Sequence, residues 1–258
     1  MRRIAVLLGF CTLTAIAVAQ QPAAKRDPQA LSILQRSLSA MGGVPNDVRA
    51  TGFVTITAGS ATDSGTIKIL ARGFDKTVEE IQTPGGSRAE IFSVGEGSSK
   101  QGLTVEAKSL EWAASAQSGA IPSLLIASAL NSSDGDYEYV GLEDLAGVKA
   151  HHVRLSASFA SRPKLKHLRE FSGKELWIDA SSLLPLKLSF DRRDGQGAVP
   201  RIPIAYHYSD YRAVGGVFIP FQIQKDYNGT PWATIRLSSV SVNAGISDSA
   251  FAVKGEAQ

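Results

Sequence analysis

Most of the chain alternates between apolar and polar residues, which is the period-two pattern of a β-strand with one buried face. VRATGFVTIT and GTIKILARGF are two such stretches, separated by the turn-rich AGSATDS. Short turns recur at Pro84-Gly85-Gly86, Ala146-Gly147, Gly215-Gly216 and Asn228-Gly229. Strands connected this closely leave no room for parallel crossovers, so the pattern predicts about 10 to 12 strands in an antiparallel meander.

Two segments interrupt the alternation and have the period of a helix. In the first, Asp27 is placed to cap the helix, Pro28 occupies the first turn and Gly42-Gly43 ends it. Its apolar stripe consists of Leu31, Leu34, Leu38 and Met41. The second helix, from Ile121 to Leu130, is apolar almost all round, which predicts a buried position or a position over a groove.

The two helices and the strands form no separate blocks, and no Pro/Ser-rich linker divides them. We therefore expect one domain over residues 20–258. The expected fold class is mainly β with two helices, built on a curved antiparallel sheet, because a sheet of this many strands curls or closes.

The strands carry more apolar surface than two helices cover. A helix covers a strip about 10 Å wide, whereas strands lie about 4.8 Å apart and the sheet is several times wider. Either the sheet closes tightly, in which case these residues are core, or an apolar groove for a ligand remains under the helices. The candidate groove residues are Leu34, Leu38, Ile121, Leu124, Leu125, Trp177, Phe190, Tyr206, Tyr208, Phe221 and Ile223. Pro220, inside a strand, indicates an edge or a bulge near a rim.

The N-terminus has the pattern of a secretory signal peptide over residues 1–19. Arg2 and Arg3 precede an apolar run that ends in Ala17-Val18-Ala19, and this run is too short to span a membrane as a helix. Cleavage removes Cys11, the only cysteine, so the mature chain has no thiol chemistry and no lipid anchor on that residue. Without Arg2 and Arg3 the net charge of +3 falls to +1, which gives no reason to expect a nucleic-acid partner.

The sequence contains no motif that predicts catalysis. It has neither a G-x-S-x-G nucleophile elbow nor a glycine loop that cradles phosphate, and we expect no cofactor. His151 and His152 are adjacent in a strand and point to opposite faces, so they cannot chelate one metal ion together, and we expect no metal site. A hydrolase assembled from distant Ser, His and Asp residues is the weakest alternative function.

One segment is clearly basic: SRPKLKHLRE, residues 161–170. The simplest interpretation is a solvated loop between strands. The alternative is contact with acidic lipid headgroups or with a membrane partner protein, through Lys164, Lys166 and Arg169.

Several stretches of the chain together form a recognisable set. In the C-terminal half these are Tyr208-Ser209-Asp210-Tyr211-Arg212, Gly216-Val217, Ile219-Pro220-Phe221, Asn228-Gly229, residues 239–243 and residues 248–251. Before them come the helix that ends in Met41-Gly42-Gly43 and the central YVGLEDLAGVKAHHVRL and LWIDASSLLPLKLSF. This set resembles the LolA-like family of periplasmic lipoprotein carriers. The chain is longer than the classical carriers, and the helix from Ile121 to Leu130 is extra.

The resemblance implies an unclosed antiparallel half-barrel with helices as a lid, whose apolar hollow receives lipid acyl chains. It also implies a non-catalytic periplasmic carrier or sensor of lipids, whose partners are acyl chains or a lipidated protein and an inner- or outer-membrane protein. The rival hypothesis is an envelope protein-interaction or sensor module whose sheet is fully packed.

Overall fold

The computed structural model of the protein describes residues 24–73, 76–93, 96–115, 119–193 and 201–252. The predicted signal peptide, residues 1–19, lies outside this part of the chain. No helix among the described residues is both long enough and apolar enough to cross a membrane.

The described residues form 13 strands, three α-helices and two 3₁₀ helices. The strands are β1 Asp47–Ala58, β2 Ala61–Arg72, β3 Lys76–Thr83, β4 Gly86–Ser93, β5 Glu96–Gln101, β6 Thr104–Lys108, β7 Gly135–Leu145, β8 Val148–Ala157, β9 Lys174–Asp179, β10 Pro185–Arg192, β11 Ile202–Val214, β12 Val217–Tyr227 and β13 Thr230–Val242. The helices are α1 Pro28–Ala40, α2 Leu110–Ser115 and α3 Pro122–Asn131, with 3₁₀ helices at Pro163–Phe171 and Asp248–Phe251.

All strands lie in one antiparallel sheet, in the order β6-β5-β4-β3-β2-β1-β13-β12-β11-β10-β9-β8-β7. Consecutive strands pair with each other, except β6 with β7, and β1 also pairs with β13, which joins the two halves. Strands β6 and β7 are the two edges, so the sheet is not closed into a barrel. The predicted curved antiparallel sheet and mainly β fold class are confirmed.

The hairpin turns have the geometry that the sequence predicts. Both residues of Ala146-Gly147, of Gly215-Gly216 and of Asn228-Gly229 have positive φ. This is the primed turn whose twist matches that of the flanking strands, and Asn and Gly adopt it at low cost. These tight turns fix the register of β7–β8, β11–β12 and β12–β13.

Helix α1 crosses the concave side of the sheet from one edge towards the middle. Asp27 caps it by accepting hydrogen bonds from the backbone N–H groups of Gln29 and Ala30, as predicted. At this end the Asp27 N–H donates to the Tyr137 carbonyl of β7, at 3.0 Å. At the other end Met41 accepts a hydrogen bond from the Phe218 N–H of β12, at 2.8 Å. Helix α1 therefore forms part of a lid over the C-terminal half of the sheet.

Helix α3 lies beside α1 and completes this lid. Residues 122–127 are all buried, as the apolar pattern predicts. The segment before α3 is hydrogen-bonded to β11, because the Tyr208 hydroxyl donates to the Gly119 carbonyl at 2.6 Å.

Two helical elements differ from the sequence prediction. Helix α2 is only six residues long, which is too short for a helical period to show against the strand pattern. The basic segment, predicted as a loop, contains the 3₁₀ helix Pro163–Phe171, called the basic 3₁₀ helix below. It begins at Pro163, which favours a helical first turn, and its Leu168 is buried.

One large apolar core fills the concave side, beneath α1 and α3. A small second cluster on the convex side joins Leu70 and Val78 to Ile246 and Phe251 of the C-terminal segment. Pro220 lies in the central strand β12, beyond Gln222, the last residue there that pairs with β13. Because β12 no longer pairs with β13 at this position, the missing N–H of Pro220 costs no hydrogen bond with β13.

Candidate functional site

The predicted groove residues lie mostly in the packed core. Those with 8% of their surface exposed or less are Leu34, Ile121, Leu124, Leu125, Phe190, Tyr206, Tyr208, Phe221 and Ile223, and Leu38 packs against them partly buried. Side chains thus occupy the middle of the concave face under α1. The open space lies elsewhere, and of the predicted residues Leu125 is the one that borders it.

Trp177 does not belong to this set, contrary to the prediction that it lines the groove. In β9 the alternation turns Leu176 and Ile178 inwards, which places Trp177 on the convex face. Its ring stacks on His152 at 4.3 Å between centroids, and its indole N–H donates to Glu143 at 2.8 Å. Trp177 therefore lies on the face of the sheet opposite to the core beneath the helices.

A cavity of about 410 Å³, called the α3 cavity below, lies at one end of the concave face. Its lining residues come from α2, α3, β4, β7, β8, the basic 3₁₀ helix and the start of β9. Most of the wall is apolar. Its apolar side chains include Ala113, Leu125, Leu155, Ala157, Leu165 and Leu168. Leu110 and Arg162 also line it and are exposed, which places them at its open side.

Helix α2 is fixed in this wall by a close approach to β5. Trp112 of α2 stacks on Phe92 of β4, with ring centroids 5.8 Å apart. A Cβ atom at Gly97 of β5 would overlap the Trp112 ring, so glycine alone leaves room for it there. The wall therefore depends on a small residue that the strand pattern does not predict.

Among the described residues that line the α3 cavity, Lys174 carries the one buried charge. Its residue surface is 6% exposed, and it lines the cavity between Leu155 of β8 and Phe190 of β10 in the strand register. Its ammonium group donates to the Ser172 carbonyl at 3.3 Å. Burial lowers the pKa of Lys174 from 10.5 to about 8, so the group is still mostly charged at neutral pH.

The basic 3₁₀ helix carries the predicted contact residues on the outside of the cavity. Lys164 and Lys166 are both exposed, while Leu165 between them lines the cavity. Arg169 differs, because it forms an ion pair at 3.0 Å with Asp136, whose side chain is 8% exposed. Two of the three predicted cations are therefore free to face a surface, and the third has a structural partner.

A second feature of the concave face is a charged cluster of Glu79, Glu90, Arg192 and Lys225. It borders a smaller cavity of about 220 Å³ near β3, β4 and β5. Burial alone raises the pKa of Glu90, but Lys225 and Arg192 outweigh it and lower the pKa to about 2. Burial likewise opposes the charge on Lys225, whereas Tyr206, Glu79 and Glu90 raise its pKa well above the usual value. Glu90, Arg192 and Lys225 are consequently charged at neutral pH.

The adjacent histidines lie on opposite faces, as strand alternation predicts. His151 contacts the Tyr139 hydroxyl at 3.2 Å, and His152 lies between Glu143 and Glu175 at 2.7 Å from each. Among the described residues no group of three or more His, Cys, Asp or Glu side chains has the arrangement of a metal site.

Sequence reasoning missed Lys174, Arg192 and Lys225, although a signal exists for each. Lys174 precedes Leu176 and Ile178 at the inward phase of β9, and Lys225 follows Ile223 at the inward phase of β12. A charged residue at an inward position of an alternating strand is expected to be buried, which is costly unless it has a partner. This criterion finds all three from the sequence.

Comparison with solved structures identifies the fold. A LolA superfamily protein from Nitrosomonas europaea superimposes with a TM-score of 0.57 at 14% identity, covering 87% of this chain and 97% of that one. A DUF1329 family protein from Desulfovibrio piger gives 0.56 at 14%, covering 89% and 98%. A domain from Vibrio parahaemolyticus described as an outer membrane lipoprotein-sorting protein gives 0.55 at 13%, covering 86% and 96%.

No known protein-family profile matches the chain, and no curated protein matches it in sequence. At these identities the likeness is one of fold alone. Taken with the open 13-stranded sheet and its helical lid, these superpositions show that the chain has a LolA-like fold, as the sequence resemblance predicts.

Proposed function

We propose that the protein binds a lipid acyl chain in the α3 cavity and carries or senses it in the periplasm. The observation that carries the proposal is the cavity itself, about 410 Å³ in volume with a largely apolar wall beneath an apolar helix. Small-molecule sites range from roughly 300 to 1,000 Å³ and are lined mainly by apolar side chains. The cavity is therefore of the size and character that an acyl chain requires.

The surroundings of the cavity support delivery from a membrane surface. Lys164 and Lys166 are exposed on the basic 3₁₀ helix, whose Leu165 lines the cavity between them. Cations next to an apolar opening attract an anionic lipid surface, and each contributes about 1 kcal/mol. The predicted signal peptide at residues 1–19 and the LolA-like fold support a periplasmic location and a non-catalytic role. The lipid is free or attached to a protein.

Binding is tested first by purifying the mature chain without detergent and extracting it for lipid mass spectrometry. A fluorescent fatty acid is then displaced by acyl compounds of increasing length. We expect affinity to rise about fourfold per methylene, from about 0.8 kcal/mol per buried CH₂ group, and to level off once the cavity is full. Absence of both co-purified lipid and displacement contradicts the proposal.

A matched pair of variants places binding in this cavity. Ala157→Leu adds three carbon atoms to the cavity wall, whereas Ala213→Leu makes the same change at an exposed position of β11. We expect the first to weaken binding of the longest chains and the second to leave it unchanged. Equal affinities for the two variants exclude the α3 cavity as the site.

The rival hypothesis of a protein-interaction module is separated from this one by the exposed lysines. It predicts that Lys164→Glu/Lys166→Glu abolishes function in cells while Ala157→Leu has no effect. Acyl-chain binding predicts loss of function in both variants.

A further inference from the structure

Lys174 has a feature that acyl-chain binding alone does not require: a buried ammonium group without a counter-ion. Among the described residues no carboxylate forms an ion pair with it, and its hydrogen bond is to a neutral carbonyl, that of Ser172. Two buried acidic groups near this end of the sheet have other partners. Asp134 accepts from Ser161, and Asp136 accepts from Arg169 and from the Lys25 N–H.

The neighbours of Lys174 make this isolation costly. The flanking residues in the register are Leu155 and Phe190, 3% and 4% exposed, and Leu168 of the cavity wall is 3% exposed. A buried cation among apolar side chains destabilises the fold unless something neutralises it. Proteins keep such groups chiefly where function needs them, at some expense of stability.

The complement of this site is an apolar chain that ends in a single negative charge. One ammonium group balances one carboxylate, whereas a phosphate dianion would leave excess charge buried in the same wall. The second cation that lines the cavity, Arg162, is 59% exposed and lies 3.7 Å from Asp134. It therefore does not add a second buried positive charge beside Lys174.

We propose that the ligand of the α3 cavity is a long-chain carboxylate, a free fatty acid, whose carboxylate forms an ion pair with the Lys174 ammonium group. This inference rests on the proposed acyl-chain binding and specifies its ligand class. An acyl chain held in an ester or amide, as in a phospholipid or a lipidated protein, has no free carboxylate and leaves Lys174 unpaired.

The test compares palmitate with methyl palmitate, which differ in the charge of the head and share the chain. Both compete against a neutral probe, N-phenyl-1-naphthylamine, on the wild-type protein and on Lys174→Met, which shortens the unbranched side chain by one atom and removes the charge. We expect the wild type to bind palmitate at least tenfold more tightly than methyl palmitate. In Lys174→Met we expect palmitate binding to fall at least tenfold and methyl palmitate binding to change less than threefold.

The matched control is Lys68→Met, which removes an exposed lysine of β2 and leaves both affinities unchanged. Lipids that co-purify provide a second measurement: free fatty acids from the wild type, and esterified lipids or none from Lys174→Met. If palmitate and methyl palmitate bind equally well, or if the preference persists in Lys174→Met, the carboxylate site is wrong and acyl-chain binding stands. If no acyl compound displaces the probe from the wild type, acyl-chain binding is itself wrong.

Discussion

The Arg192 guanidinium group donates hydrogen bonds to both carboxylate oxygens of Glu90, at 2.7 and 3.0 Å. Arg192 lies on β10 and Glu90 on β4, and six strands separate them in the sheet. A contact between side chains so far apart along the sheet requires that the sheet curl until β4 and β10 face each other. The ion pair therefore closes one end of the concave face by side chains, where no backbone ladder closes it.

Removal of Arg192 from this ion pair is expected to lower the stability of the fold substantially. The Arg192 side chain is 8% exposed, and we expect Arg192→Met to lower the free energy of unfolding by about 3 kcal/mol, because Glu90 loses both hydrogen bonds from Arg192 and keeps the longer contact with Lys225, at 3.7 Å. Urea unfolding measures this. Glu90→Gln/Arg192→Met removes both charges, and we expect it to be more stable than Arg192→Met.

Arg212→Met is the control for this prediction. Arg212 also forms a two-bond ion pair, with Asp210, but at an exposed site where such pairs contribute about 1 kcal/mol or less. An Arg192→Met variant no less stable than Arg212→Met rules out a structural role for the pair across the concave face.

Removal of the buried charge of Lys174 is expected to stabilise the protein, whereas removal of Arg192 is expected to destabilise it. Its pKa is about 8 in the folded chain and 10.5 as the ordinary value, so the unfolded chain holds the proton more tightly. The wild type is therefore penalised fully below pH 8 and gains stability as the pH rises from 8 to 10.5. We expect Lys174→Met to be more stable than the wild type at pH 7, by up to about 3 kcal/mol, with the difference gone above pH 10.5.

Denaturant unfolding of both proteins across this pH range provides the comparison, and Lys68→Met shows what removal of an exposed lysine does. A Lys174→Met protein that is less stable than the wild type at pH 7 means that Lys174 has a stabilising partner in the unliganded protein.

The exposed cations of the basic 3₁₀ helix predict membrane attraction. We expect Lys164→Glu/Lys166→Glu to weaken binding to vesicles containing anionic phospholipid by at least about 30-fold at low salt, from about 1 kcal/mol per lysine lost, with a smaller effect at high salt. Vesicle co-sedimentation measures it. Arg169 is left intact in this variant because it pairs with Asp136.

The control moves the same charge change to other surfaces. Lys68→Glu/Lys149→Glu reverses two exposed lysines on β2 and β8, and we expect it to bind vesicles much more strongly than the Lys164/Lys166 variant. Equal losses in the two double variants show that net charge alone governs the attraction.

The close contact between Gly97 of β5 and Trp112 of α2 predicts that even a methyl side chain at position 97 lowers stability. In Gly97→Ala the added methyl group overlaps the Trp112 ring, and we expect a loss of about 1 to 3 kcal/mol together with altered acyl-chain affinity, because α2 must move. Gly141→Ala in β7 is the control, since a Cβ atom there meets no atom within 4 Å. If both variants unfold at the same urea concentration, Trp112 does not hold α2 in place.

Local sequence signals are sufficient to predict the individual helices and hairpins. The capping at Asp27, the apolar run after Pro122 and the paired turn residues at Asn228-Gly229 each act over a few residues, so the sequence pattern alone predicts α1, α3 and the hairpins. The period-two alternation also separates the two faces of each strand, which is why it predicts an inward position for Tyr206 and Ile223, both of which are buried.

The tertiary structure alone decided how the two halves meet and where space remains. Pairing of β1 with β13 joins residues almost 200 positions apart, such as Val48 and Val242, and no local pattern encodes that choice. The position of the α3 cavity depends on how much of the concave face α1, α2 and the basic 3₁₀ helix fill, which is a property of packed volumes. The lack of a counter-ion at Lys174 is likewise a property of the tertiary structure, because it depends on where the fold places the carboxylates.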